Sequence, residues 1–430
     1  MNRKIIYYLF FIFLSFLSII FSFVVFKPLI SEDISINLVL YSIGKLAGLI
    51  GFVSLSFLIF SGDTARFFDR YFGMDKIIKF QRKLALITAV FIIAHPLFFS
   101  ISNKAILPYI IPDFTVLPLA LGTISFYIFI IIMICSILYK RISYNAWQYI
   151  HILTYILFFF SLYHALNIGS GTGNFFVKSI FGILLIVVVA GGIYRTYYKL
   201  KQRNNKFIVE GIKWETKDTF TLVLEPNYKF LFKPGQFCFL RLNKDRLYAR
   251  HPFTISSSPD EKNLHFTIKT KGRFTWELMK LKKGEEVKVD GPFGIFTLDK
   301  AEDKDIVLIA GGIGITPFFS MIKSLAGSHS NRKIILFYCS KKAESMVFKK
   351  ELDAIKEKWL KKIYVLSDDE CCFGLEKGRL NASIISKYAE DINKSVFFIC
   401  GPEEMKKCIV KELVKSGVKK ENILAEDFFL

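Results

Sequence analysis

Histidine and cysteine are both scarce in this chain: 430 residues hold six His and seven Cys. The cysteines form no CxxC spacing, so no zinc site of that kind is encoded. Cys135 lies in an apolar run. The other six (Cys238, Cys339, Cys371, Cys372, Cys400 and Cys408) fall in the second half. A reducing compartment is expected there, which excludes a disulfide framework. Internal repeats are absent, and so is low-complexity sequence apart from a Phe-rich first run. No nucleic-acid-binding motif accompanies the formal net charge of +21. Much of the excess sits instead in short loops between apolar runs, where it sets topology and meets anionic lipid.

What is abundant is apolar surface: 52% hydrophobic residues, 46 Phe and a mean hydropathy of +0.39. Nearly all of the excess precedes residue 200. Six runs there, roughly 5–26, 38–60, 84–101, 116–139, 146–166 and 175–198, are each long enough to cross a hydrocarbon core at about 20 residues. The first follows Arg3 and Lys4 but is too long for a signal-peptide core and lacks a small-residue cleavage site, so it reads as a retained helix. Arg66, Arg70, Lys76, Lys79, Arg82 and Lys83 precede the third run. Lys140 and Arg141 precede the fifth, and Arg195, Lys199, Lys201 and Arg203 follow the sixth. The opposite loops carry little beyond Lys27, Lys104 and Lys178, so both termini are expected in the cytoplasm of a multi-pass cell-membrane protein.

After the polar segment KLKQRNNK, short β-rich runs such as FTLVLEP, QFCFLRL and LHFTIKT alternate with turn residues, the pattern of an antiparallel barrel. From about residue 303 the order becomes DIVLIAGG, a helix-like stretch, KIILFYCS, a charged helix at 344–359, KIYVLSDD, another helix and SVFFICGP. That βαβα alternation predicts a parallel doubly wound sheet. The expected fold is therefore a membrane all-α six-helix bundle (1–203), an antiparallel β-barrel domain (204–300) and an α/β doubly wound nucleotide-binding domain (301–430).

An ionisable side chain at membrane depth marks a functional site unless a partner accounts for it. The first half has three histidines, His95, His151 and His164. Taken singly, each also reads as a polar residue bonded to a neighbouring helix. Together they fit axial ligation of haem iron, which imidazole commonly provides. Gln81 and His95 are fourteen residues apart, which returns to nearly the same helical face after a rise of about 21 Å. His151 and His164 are thirteen apart, which an ideal helix turns about 140° away, so a π-bulge or bend is expected in that helix. The third and fifth helices run the same way, placing His95 with His164 at one depth and Gln81 with His151 at the other.

Two clusters stand out in the second half. PGQF (234–237), RHPFTISS (250–257) and KGRFT (271–275) form the first. Arg250 offers a guanidinium to a diphosphate, the Thr254 hydroxyl suits a flavin ring edge, Gly272 allows close backbone approach, and Thr275 is expected to begin a helix whose N-terminus faces phosphate. The second is IAGGIGITPF (309–318), a glycine turn between strand and helix, joined by ICGPEEM (399–405), where Cys400 is placed to meet a nicotinamide. It is not a GxGxxG fingerprint. Ser340, Lys341 and Lys342 after KIILFYC, with Arg379, suit a 2′-phosphate and favour NADPH over NADH, although two lysines at a strand end also read as solvated charges.

These motifs resemble the ferredoxin–NADP reductase family. RHPFTISS, with Arg250, His251, Pro252, Phe253, Thr254 and Ser256, looks like its flavin motif. GGIGITP, with Gly311, Gly312, Gly314, Thr316 and Pro317, looks like its pyridine-nucleotide loop, and CGP (Cys400, Gly401, Pro402) like its nicotinamide-side motif. With six helices and membrane histidines in front, the chain resembles the NADPH oxidase and ferric reductase superfamily over nearly its whole length. The resemblance implies FAD in the barrel, NAD(P)H on the last domain and b-type haem in the bundle. It further implies electrons leaving to oxygen or a ferric chelate at the outer face, and a C-terminal aromatic, Phe428 or Phe429, over the flavin. A haem-free flavin reductase anchored by its helices and serving cytoplasmic acceptors is the rival reading, and delivery to a surface protein a further one. No obligatory protein partner is evident.

One position departs from the family pattern. Members carry histidine on the third helix at both depths, whereas this chain has Gln81 at the inner one. A carboxamide is a poor haem ligand beside imidazole, so the expectation is one well-ligated outer haem and an unusual inner one. Arg82 and Lys83 are either partners for its propionates or positive-inside anchors.

Overall fold

The computed structural model describes residues 3–31, 34–139, 141–142, 144–169, 173–202, 205–242, 251–302, 304–326, 332–368, 376–389 and 391–426. The chain divides into two compact units, Met1–Lys201 and Gln202–Leu430.

Long apolar stretches have no solvent for their backbone groups in a bilayer and must satisfy them internally as helices. In order the first unit contains α1 (Arg3–Ser31), α2 (Ile36–Asp63), α3 (Ala65–Phe72), α4 (Met74–Ser102), α5 (Leu107–Ile110), α6 (Leu117–Ile137), α7 (Tyr144–Ile168) and α8 (Phe175–Gln202). Ser35 caps α2 by accepting the Leu38 amide at 3.2 Å. Five helices, all but α1 of the six long ones, meet the length and composition needed to span a membrane over their described residues. Leu86, Val90, Leu97, Ile131, Ile186 and Ile193 face outward, the surface that lipid covers. Phe52, Phe158, Phe181 and Leu184 fill the centre, with Phe52 stacked on Phe158 at 5.3 Å.

The structure revises two expectations here. Helix α4 begins ten residues before the apolar run at 84, because the basic segment from Lys76 to Lys83 continues the hydrogen-bonded helix after its apolar face ends. Helix α7 is α-helical throughout and has no π-bulge, so the predicted realignment of His151 with His164 does not occur by that device.

In the second unit, β1 (Phe207–Thr216), β2 (Thr219–Pro226), β3 (Phe237–Leu242), β4 (His251–Thr254), β5 (Leu264–Lys269) and β6 (Glu286–Phe293) form an antiparallel sheet in the order β4-β3-β6-β1-β2-β5, with α9 (Arg273–Met279) between β5 and β6. A bridge between Ile255, just beyond β4, and Phe266 of β5 joins the two edge strands and closes the barrel. Leu222, Leu240, Phe266 and Val287 pack its interior.

The remainder carries β7 (Ile306–Gly311), α10 (Thr316–Ala326), β8 (Ile334–Ser340), α11 (Lys349–Ala354), β9 (Leu360–Leu366), β10 (Glu376–Lys377), α12 (Ala382–Tyr388), β11 (Val396–Cys400), α13 (Glu403–Lys415) and β12 (Ile423–Glu426). Its sheet is parallel, ordered β10-β9-β8-β7-β11-β12. Strand β7 is buried along its whole length, as a strand covered on both faces must be. The chain reverses direction between β7 and β11, so a crevice opens at their C-terminal ends. The charged helix expected at 344–359 is reduced to α11, because Phe348 takes a left-handed backbone (φ +61°) and Ile355 is extended.

Candidate functional site

Helices α4 and α7 bring His95 and His164 together with ring centroids 6.2 Å apart and planes at 86°. Both line a cavity of about 400 Å³ that also meets Tyr41, Lys45, Phe99 and Ser161. Each imidazole is oriented from outside: His95 Nδ1 lies 2.9 Å from the Gly44 carbonyl of α2, and His164 Nδ1 lies 2.9 Å from the Pro118 carbonyl of α6. A carbonyl only accepts, so each Nδ1 carries the proton and each Nε2 keeps its lone pair, the arrangement that prepares histidine for a metal. Glycines make the room. A Cβ on Gly48 would stand 2.6 Å from His95 Nδ1, and one on Gly122 would stand 2.4 Å from His164 Nδ1. Gly44, Gly48, Pro118 and Gly122 were not singled out from sequence; their one signal is small or helix-breaking residues inside otherwise bulky apolar runs. A bis-imidazole metal centre such as haem fits these residues.

The other depth of the bundle is built differently. Gln81 Nε2 and His151 Nδ1 are both buried without a hydrogen-bond partner. The His151 ring lies 4.0 Å from the Trp147 ring, and among the described residues no hydrogen bond or ring contact joins Gln81 to His151. Arg82 and Lys83 are exposed. Nearby on α7, Tyr155 reaches a buried group that sequence reading missed: its hydroxyl lies 2.8 and 2.7 Å from the two Asp63 oxygens, and Arg195 of α8 donates to Asp63 at 3.0 Å. The Asp63 side chain is 2% exposed. This cluster ties α2, α7 and α8 together from positions 92 and 132 residues apart, beyond any local pattern.

In the barrel, Arg250 lies outside the described residues. His251 stacks on Phe274 at 4.1 Å, and Phe253 lies parallel to the same ring at 6.2 Å. Burial pushes the His251 imidazole below its usual range, so it is neutral at pH 7. Pro252 pairs with Phe239 and buried Thr254 with Phe237 across the strand from β3. The Ser256 hydroxyl is committed elsewhere, donating to the His265 carbonyl at 3.1 Å and meeting Thr267 Oγ1 at 2.8 Å. Helix α9 begins at Arg273 rather than Thr275. The Thr275 hydroxyl instead accepts the Lys271 and Gly272 amides at 3.0 and 3.1 Å and fixes the approach to the helix. The space above Gly272 is open.

At the α/β crevice, Gly311 and Gly314 close on the end of β11. A Cβ on Gly314 would stand 2.3 Å from the Cys400 carbonyl oxygen, and one on Gly311 would strike Met405 and Pro402. Gly401 packs against Gly311 in the same way, whereas Gly312 (φ +55°) leaves open space above it. Cys400 is fully buried. Thr316 Oγ1 donates to the Ile313 carbonyl at 3.2 Å, and Pro317 enters the first turn of α10. Ser340 Oγ meets Ser345 Oγ at 2.8 Å, Lys341 and Lys342 are exposed, and the Asp368 amide donates to the Lys341 carbonyl. Asp368, two residues past the end of β9, thus lies at this edge, its carboxylate accepting from the Ser367 hydroxyl at 2.6 Å. Ser320 of α10 donates to the Ser257 carbonyl at 2.6 Å, and Lys323 pairs with Glu261 at 2.5 Å, fastening the barrel to the nucleotide half. Phe428 and Phe429 lie outside the described residues.

Three family models match consecutive stretches: the ferric reductase-like transmembrane component at 47–162, an FAD-binding domain at 204–297 and an oxidoreductase NAD-binding domain at 308–411. Sulfhydrogenase 2 subunit gamma of Pyrococcus furiosus is 29% identical over 44% of this chain and 69% of its own length. Sulfhydrogenase 1 subunit gamma of that organism is 33% identical over 45% and 68%. Across these and other curated relatives the chain spans between 52% and 69% of the relative's length. The flavohemoglobin of Malassezia yamatoensis, whose structure holds FAD and heme, aligns over 92% of this chain and 99% of its own with a TM-score of 0.52, at 20% identity, a likeness of fold alone. With these domains in this order, the chain belongs to the NADPH oxidase and ferric reductase superfamily, as an oxidoreductase with a ferric reductase-like membrane component ahead of its FAD- and NAD-binding domains.

Proposed function

We propose that this protein moves electrons from cytoplasmic NADPH through FAD and b-type haem to oxygen or a ferric chelate on the outer face. Both termini and the nucleotide domains lie inside, as the basic loops before α4, before α7 and after α8 require. The division is 1–203 for the bundle, 204–300 for the flavin barrel and 301–430 for the nucleotide domain. The observation that carries this reading is the His95–His164 pair, 6.2 Å apart with both Nδ1 atoms held by carbonyls. A haem-free anchor has no use for two imidazoles so prepared.

FAD turns hydride into single electrons and haem passes them across the bilayer when each is bound. The protein's own groups bind and orient. Arg250 and the open backbone at Gly272 hold the flavin diphosphate, with the Thr254 region along the ring. The crevice at Gly311, Gly312, Gly314 and Gly401 admits the dinucleotide, Cys400 backs it, and Ser340, Lys341, Lys342 and Arg379 take the adenosine 2′-phosphate. Phe428 or Phe429 covers the flavin. His95 and His164 hold the outer iron, and the cavity with Lys45 opens to the acceptor.

The test uses vesicles reconstituted with full-length protein, NADPH inside and an impermeant electron acceptor outside. His95→Ala and His164→Ala should each remove one haem per chain and abolish outward transfer, while NADPH still reduces FAD at the wild-type rate. Outward transfer at the wild-type rate in either variant would show that the helices are only an anchor.

A further inference from the structure

The two ends of the bundle use glycine to opposite effect. At the outer end it makes room for imidazole, Gly48 beside His95 and Gly122 beside His164. At the inner end it draws helices together. A Cβ on Gly191 of α8 would stand 3.3 Å from the Phe60 ring and 3.4 Å from Asp63 Cβ, both on α2, and one on Gly192 would stand 3.8 Å from the Tyr155 ring of α7. One turn beyond Gly191, Arg195 donates to Asp63 at 3.0 Å, and the Tyr155 hydroxyl donates to the same carboxylate. Three helices thus close on one buried acid, and separating them would leave a charge stranded in a low-dielectric interior.

Helix register sets Gln81 and His151 apart. Gln81 lies about 21 Å inward of His95 on nearly the same face of α4. On α7, which is α-helical throughout, the thirteen residues from His164 back to His151 leave His151 about 140° away from the face that carries His164. Its ring lies instead against that of Trp147, with centroids 4.0 Å apart. The cavity at His95 and His164 reaches inward to Leu55 and Leu157, about 10 Å from the histidines, and is lined by neither Gln81 nor His151. At that level Phe158, fully buried, stacks on Phe52 at 5.3 Å, and Phe52 meets Phe181 edge-on at 5.1 Å. Packed rings therefore stand between the outer cavity and the Asp63 cluster.

We propose that the bundle holds a single haem, between His95 and His164, and that its inner end is a closed lock built on Asp63, Tyr155 and Arg195 rather than a second haem site. The inference rests on the haem reading of the bundle given above. It replaces the unusual inner haem expected from sequence, because Gln81 and His151 are turned apart and the glycines at that depth bring helices together. An electron bound for the outer haem then crosses the inner 20 Å or so of the bundle, the rise from His151 to His164, with no metal centre on the way. Fully reduced, the chain stores an odd number of electrons, two on FAD and one on haem.

The experiment measures the haem-to-chain ratio and the anaerobic reductive titration of detergent-solubilised, full-length protein loaded with FAD. The wild type should carry one haem per chain, take up three electrons and show one haem transition. His151→Ala and Gln81→Leu should keep that haem and its reduced spectrum, whereas His95→Ala should lose it. Gln81→His should stay at one haem, because its new imidazole has no partner facing it from α7. FAD content and a monodisperse elution profile establish that each variant is folded, and the wild-type ratio and electron count test the proposal even where a variant does not fold. A wild-type ratio of two, an uptake of four electrons, loss of haem in folded His151→Ala, or a rise to two in Gln81→His overturns the single-haem proposal and leaves the outer site standing. A wild type that binds no haem would sink the reading on which it rests.

Discussion

The clearance at Gly122 makes a sharp prediction. In Gly122→Ala the new Cβ would stand 2.4 Å from His164 Nδ1, 2.7 Å from Cε1 and 2.9 Å from Cγ. Ordinary contact begins near 3.4 Å, so the ring must retreat by about 1 Å against close-packed neighbours. That retreat breaks its 2.9 Å bond to the Pro118 carbonyl. A lost hydrogen bond of about 1 kcal/mol and overpacking of about 1–3 kcal/mol together remove roughly 2–4 kcal/mol from the liganded state. At 1.4 kcal/mol per tenfold, haem affinity at this position should fall between about 30-fold and 700-fold. The assay is haem content and the reduced absorption spectrum of purified Gly122→Ala, with Gly182→Ala of α8 as control, since a Cβ there meets nothing. Wild-type haem content and spectrum in Gly122→Ala would refute the assignment of His164 as a ligand in this orientation.

Other expectations follow from the same geometry. Asp63→Ala leaves Arg195 and Tyr155 without their acceptor and should cost about 3 kcal/mol, the low end for a broken buried pair because Arg195 is partly exposed; thermal melting in detergent checks this, and Asp63→Ala/Arg195→Met should recover part of the loss. Lys341→Ala/Lys342→Ala should raise KM for NADPH about tenfold and leave NADH unchanged, and an equal rise for both would remove these lysines from the 2′-phosphate site. Burial pushes the Cys339 thiol up to about 12 from an ordinary value of 9.0. The folded state therefore holds this proton more tightly, and the stability it contributes is present below pH 9 and lost as pH rises towards 12. At pH 8 a maleimide should label exposed Cys408 well before Cys339, read by peptide mass spectrometry, and equal labelling of the two in folded protein would contradict the burial.

Some of the site was legible because its residues break a local rule. His95 and His164 are conspicuous in apolar runs, since membrane depth makes every imidazole expensive without a purpose. The glycine turn at 311–314 announces a crevice because it follows a continuous buried strand. Gly48 and Gly122 gave no comparable sign, as glycine in a membrane helix serves close packing anywhere along it. Ser256 belongs to the flavin-like motif and Thr275 was expected to begin a helix, and their hydroxyls bond neighbours, Ser256 meeting His265 and Thr267 and Thr275 the amides before α9. Hydroxyls bond whatever backbone lies within reach, and that is a property of the folded chain.

The amino-acid order by itself determined the division into an apolar helical half and a β-rich half, the strand-helix alternation after residue 303 and the departure at Gln81. These follow from periodicity, hydropathy and residue chemistry, which act over a few neighbouring positions. Tertiary structure alone decided that His95 and His164 meet at 6.2 Å under two carbonyls, that Asp63 takes Tyr155 and Arg195 as partners, and that Asp368 arrives beside Lys341. Each of these joins residues on separate elements, where helix packing and sheet order set the distance.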